Sequence, residues 1–226
     1  MGNCLPSAIF THFWVVTLKC KEIRVNSKQN GWFTMNSKAI AFMALMGALG
    51  NVLFLISYHL GPITQGVALD LSLITTFIAA FYGGPLVGFL TGLFVGVFPG
   101  IYFGPLGNGS WLGLIGLPIG KSLTGLTAGL LNKGLNINQR RHNSILTVPL
   151  VLVSYVPECI FTVIYFVFLL PYFIGQGGPA ILAFVLPKAW AEIVFMSVFM
   201  TALVGNRGFS SFIANFFVGY KAGSKS

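Results

Sequence analysis

Residues 67–98 read VALDLSLITTFIAAFYGGPLVGFLTGLFVGVF, from Val67 to Phe98, with one charged side chain, Asp70, and one strong break, Gly83-Gly84-Pro85. Two apolar segments lie on either side of that break, joined by a turn of a few residues. Glycine closes a helix because it tolerates left-handed backbone, and proline opens the next because its missing N–H is not needed in the first turn. Such uninterrupted apolar character on both sides of a tight turn reads as a helical hairpin inside a membrane.

The rest of the chain agrees. Of 226 residues, 55% are hydrophobic and only 8% charged, where ordinary soluble domains carry roughly 25%. A soluble fold of this length could not keep so much apolar surface from water, and a disordered chain needs low hydrophobicity. The expected class is therefore an all-α integral membrane protein. Three cysteines, Cys4, Cys20 and Cys159, are far apart and form no CxxC pair, which points away from a disulfide framework or a structural zinc site.

Six spans are expected, near Lys38–Tyr58, Gln65–Tyr82, Pro85–Phe103, Trp111–Leu131, Ile145–Leu170 and Ala180–Val204, punctuated by Gly61-Pro62, Gly83-Gly84-Pro85, Pro105–Gly109 and Gly175–Pro179. Residues 1–34 stand apart as a basic extension with Lys19, Lys21, Arg24 and Lys28. Their apolar run, Ala8 to Leu18, is too short to cross a bilayer, and its charges follow it, unlike those of a signal peptide. Met35 opens the conventional start Met-Asn-Ser-Lys, so either translation begins there or residues 1–34 form a peripheral cytoplasmic segment. Residues 35–204 make the membrane domain and 205–226 a cytoplasmic tail whose FSSFIANFF could lie along the membrane.

Charge placement orients the bundle. Lys38 with the N-terminal cluster, Lys133, Arg140 and Arg141, and then Arg207, Lys221 and Lys225 fall on one side of a six-span arrangement. The connections near 59–65, 99–110 and 171–180 hold no Lys or Arg. Basic loops stay in the cytoplasm, so both termini are expected there. The +9 net charge is thus a topogenic signal, and nucleic acid is not an expected partner.

Gly84, Gly88, Gly92, Gly96 and Gly100 recur at every fourth position of span three. Gly116/Gly120 and Gly125/Gly129 repeat the device in span four, a pattern that lets helix backbones approach closely. Ala41, Ala44 and Ala48 make a similar smooth face on span one, suited either to internal packing or to docking another helix. GLPIGKS, Gly116 to Ser122, imitates a phosphate-binding loop but has three residues between its glycines where four are required.

Ionisable residues at membrane depth carry the functional signal. Lys121, Glu158, Lys188 and Glu192 each cost roughly 3 kcal/mol to insert at a helix centre, and such residues usually pair or line a polar cavity. At 1.5 Å per residue, Lys121 lies about 15 Å from the outer start of span four. Lys188 and Glu192 lie about 12 and 18 Å along span six, and Glu158 about 18 Å from the outer end of span five. All four can meet in the middle to outer part of the membrane. Lys188 and Glu192 can also pair as i,i+4 neighbours. Tyr155, Glu158, Thr162 and Tyr165 form a polar-aromatic stripe, and Trp111 shares a face of span four with Lys121. Two readings stand: a solute chamber lined by Lys121, Glu158, Lys188, Glu192, Trp111, Tyr155 and Thr162, or an ion-pair network that fixes helix register. The mixture suits a small solute with a flat ring or a carboxylate. Asp70 reads as a cap on the start of span two.

The 67–98 stretch resembles the core of the substrate-binding S components of energy-coupling factor (ECF) transporters. Asp70-Leu71-Ser72 matches their entry to helix two, and Gly84-Pro85-Leu86-Val87-Gly88 their turn into a glycine-rich helix three. Ala44 and Ala48 correspond to the family's Ala-x-x-x-Ala face, and Ile119 to Leu131 resembles its fourth helix. The resemblance, over residues 37–204, implies a six-helix S component of a prokaryotic plasma membrane that captures a vitamin-like solute from outside. The alanine face would dock on a membrane T component driven by two cytoplasmic ATPases. It implies no enzymatic activity, cofactor or metal in this chain. The alternatives are a stand-alone small-solute transporter or channel, or an intramembrane enzyme built on Asp70, Glu158 or Glu192, for which no HExxH or GxSG pattern is present.

Overall fold

A computed structural model describes residues 37–60, 62–64, 67–68, 70–106, 110–135, 144–175 and 178–218. The expectations for residues 1–34, Met35, Arg140, Arg141, Lys221 and Lys225 lie outside them, as does much of the Gly61–Gly66 loop. The order is α1 (Ser37–Leu60), a hairpin of β1 (Pro62–Thr64) and β2 (Val67–Ala68), α2 (Leu73–Gly83), α3 (Pro85–Phe103), α4 (Ser110–Leu135) and α5 (Thr147–Ile164). The chain then runs through a π-helical stretch, Tyr165–Leu169, into α6 (Leu170–Ile174), α7 (Gly178–Gly205) and α8 (Arg207–Val218).

Five segments are long and apolar enough to cross a membrane: α1, α3, α4, the continuous Thr147–Phe173 segment and α7. The surface agrees, because it is inverted relative to that of a water-soluble protein. Ile40, Val52, Ile115, Val153, Ile160, Phe184, Phe195 and Val198 face outward, while Lys121, Glu158, Glu192, Thr75, Thr76 and Thr91 are buried. Apolar side chains outside and charged and polar ones inside is the arrangement of a multi-pass membrane protein.

Span two differs from its expected extent. Helix α2 has 11 residues, about 16 Å at 1.5 Å per residue, roughly half of a 30 Å hydrocarbon core. The preceding residues form the antiparallel hairpin, with Pro62 opposite Ala68 and Thr64 opposite Val67. Every residue from Leu73 to Phe81 is buried, which explains why α2 is apolar all round rather than on one face. It packs against α1, α3, α4 and α7 as the axis of the bundle.

The Gly-Gly-Pro break behaves as its chemistry dictates. Gly84 has φ +92°, its N–H closes α2 on the Ala80 carbonyl at 3.2 Å, and Pro85 opens α3. Antiparallel α3 and α4 then meet backbone to backbone. A Cβ on Gly92 would stand 2.5 Å from the Lys121 carbonyl oxygen, one on Gly96 2.3 Å from Pro118 Cα, and one on Gly88 2.6 Å from the Gly125 carbonyl oxygen. The glycine stripe is thus a packing seam.

Candidate functional site

The seam places the first charged group. With its backbone against Gly92, Lys121 is 2% exposed, and its ammonium lies 2.6 Å from Asp70 Oδ2 and donates to Ser72 Oγ. Ser72 in turn donates its hydroxyl to Asp70 Oδ1 at 2.5 Å and its backbone N–H to the same oxygen at 3.0 Å. Asp70 therefore receives the Ser72 amide just before α2, while Ser72, at the cap position, makes no side-chain capping bond, so the cap expectation is met only in part. Asp70 is also the counter-ion of Lys121, a role its position in the sequence did not reveal. The Asp-x-Ser spacing was the available signal, since a side chain two residues before a serine can close this local turn.

The network continues into α7. Glu192 Oε1 accepts the Asp70 backbone N–H at 2.7 Å and lies 3.2 Å from the Lys188 ammonium, one helical turn earlier. One carboxylate oxygen thus ties the start of α2 to the middle of α7. Four ionisable side chains, Lys121, Asp70, Glu192 and Lys188, form a connected chain across α4, the α2 entry and α7.

Glu158 sits beside this chain on different terms. It is 9% exposed, and its Oε2 accepts a hydrogen bond from Thr124 Oγ1, one turn along α4 from Lys121. Gly120 faces it, and a Cβ there would lie 3.4 Å from Glu158 Cγ and 3.6 Å from Oε1. One turn earlier on α5, the buried Tyr155 ring meets Trp190 of α7 edge to face, with centroids 5.6 Å apart. Trp190 stands between Lys188 and Glu192 in sequence, so α5 and α7 bring aromatic and ionic groups to one neighbourhood.

The structure gathers Lys121, Glu158, Lys188, Glu192 and Tyr155, and adds Asp70, Ser72, Thr124 and Trp190. It does not gather Trp111, which is 73% exposed at the start of α4, ten residues and about 15 Å of helix from Lys121. Thr162 is half-buried one turn beyond Glu158. Tyr165, where the helix widens into its π-helical stretch, packs its ring over Gly116. GLPIGKS lies wholly within α4, so its amides are spent on the helix and cannot cradle a phosphate.

The alanine face of α1 is left free of internal packing. Ala41, Ala44 and Ala48 are exposed, while Gly47 and Gly50 turn inward against Phe94 and against Thr75 and Val95. Among the described residues, no three His, Cys, Asp or Glu side chains gather as a metal would require. What the cluster offers is charge, hydrogen bonds and aromatic surface. Comparison with protein-family models finds no match, and comparison with curated proteins finds no significant relative.

Proposed function

We propose that this chain is the substrate-binding subunit of an ECF-type importer in a prokaryotic plasma membrane. It captures a vitamin-like solute from outside and releases it inward with a membrane T component and two cytoplasmic ATPases. In this reading α2 with its hairpin counts as the sixth crossing, both termini are cytoplasmic, and the chain itself performs no chemistry.

The observation that carries the reading is the buried ionic cluster shared by α2, α4, α5 and α7. Keeping three ionisable groups buried and two more half-buried in an apolar bundle is costly, and side chains kept at such depth usually serve a solute or ion. The exposed Ala44 and Ala48 face supports the partner half of the proposal, since small side chains let another helix approach closely.

Uptake measured in cells containing the T component and ATPases should fall when Ala44 and Ala48 are both replaced by Leu, with solute binding by the purified subunit unchanged. Uptake at the wild-type rate would remove the docking role. In liposomes the chain alone should bind without accumulating solute. Sustained transport without ATPases would establish the stand-alone transporter instead.

A further inference from the structure

We propose that the solute's recognised group is a cation and that Glu158 receives it, an inference that rests on the solute-capturing function proposed above. The cluster contains three carboxylates, Asp70, Glu158 and Glu192, and two ammonium groups, Lys121 and Lys188. Both ammoniums are committed: Lys121 to Asp70 at 2.6 Å, and Lys188 to Glu192 at 3.2 Å. Glu158 has a neutral partner, the Thr124 hydroxyl, and among the described residues no Lys or Arg lies within salt-bridge distance of it.

Ionised, Glu158 would be the one carboxylate of the three without an ion pair, and a bound cation would compensate a charge that protonation must otherwise remove. A carboxylate-bearing solute would instead add a second uncompensated negative charge, or would have to break one of the two internal ion pairs. The groups around Glu158 fit the same assignment. Gly120 presents no side chain to Oε1, and Tyr155, one turn away on α5, packs edge to face on Trp190 of α7, so aromatic surface of the kind organic cations favour lies in the same neighbourhood. The sequence reading allowed a flat ring or a carboxylate; the pairing favours a small organic cation.

The test uses the full chain in mild detergent and three probes that share one ring: 1-methylnicotinamide, a cation; nicotinamide, which is neutral; and nicotinate, an anion. Thermal unfolding is measured with each, and any small molecule released from the purified protein is identified by mass spectrometry. The cation should raise the melting temperature most, and any released molecule should be a cation. Both effects should be lost in Glu158→Gln, which preserves side-chain shape, and in Gly120→Ala. The latter adds a methyl at ordinary contact distance from Glu158, so it should fold while occupying the space beside Oε1.

A released anion or neutral molecule, a stronger response to nicotinate or nicotinamide, or undiminished cation binding by Glu158→Gln overturns the assignment to Glu158 while leaving solute capture intact. If no probe shifts the melting temperature and no molecule is released, both the assignment and the capture function are overturned.

Discussion

Lys121 and Asp70 illustrate what one buried pair demands of its neighbours. Both side chains are largely removed from solvent, and Asp70 also holds the Ser72 hydroxyl and amide. Removing one partner of such a pair leaves a buried charge without compensation, at a cost of about 3–5 kcal/mol. Lys121→Met should therefore lower unfolding stability in detergent by about that amount. Lys121→Met combined with Asp70→Asn should recover much of the loss, because no lone charge remains. A double mutant no more stable than Lys121→Met would show that the pair is not the source of the effect. Lys188 is the more exposed cation, and Glu192 keeps the Asp70 amide without it, so Lys188→Met should destabilise less than Lys121→Met.

At the level of elements, the α3–α4 seam and the start of α8 make separable predictions. In Gly96→Ala the new methyl would lie 2.3 Å from Pro118 Cα, so one helix must move, at a cost of about 1–3 kcal/mol. Gly134→Ala near the end of α4 meets nothing within 4 Å and should be neutral or stabilising by about 0.5–1 kcal/mol. Thermal unfolding of the two variants compares them directly, and equal responses would disprove the seam. Asn206 caps α8, with Oδ1 accepting the Gly208 and Phe209 amides at 2.9 and 3.3 Å. Behind that cap, Ser210 and Phe209 meet Tyr82 of α2, and Ile213 joins the core while Phe212 faces outward. Asn206→Ala should cost about 1 kcal/mol, read as faster amide exchange confined to α8. The apolar face of α8 was legible in FSSFIANFF. Its docking on Tyr82 was not, since that contact spans 128 residues of sequence.

Across the whole molecule, the proposed orientation predicts which ends of the bundle face each compartment. Single cysteines placed at Leu106 and at Lys133 in a cysteine-free background should react with an impermeant thiol reagent from opposite sides of intact cells, Leu106 from outside. Both residues are exposed at helix ends, so access is not limiting. Labelling of both from one side would reject the orientation. The sequence by itself determined the membrane class, the Gly-Gly-Pro break and the need of the glycine-lined spans for a close helix neighbour. Each follows from local composition or a short repeat, through the cost of exposing apolar surface and the need of close-packed helices for glycine. Only the tertiary structure decided that α2 would be an 11-residue buried axis behind a hairpin and that Trp111 would stand apart from the cluster. It alone showed Asp70 joining Lys121 across 51 residues and Glu192 across 122. Pairings over such distances leave no periodic trace. Which buried charge finds which partner depends on how the helices pack, and among the described residues that packing leaves Glu158 as the cluster carboxylate without an ion pair.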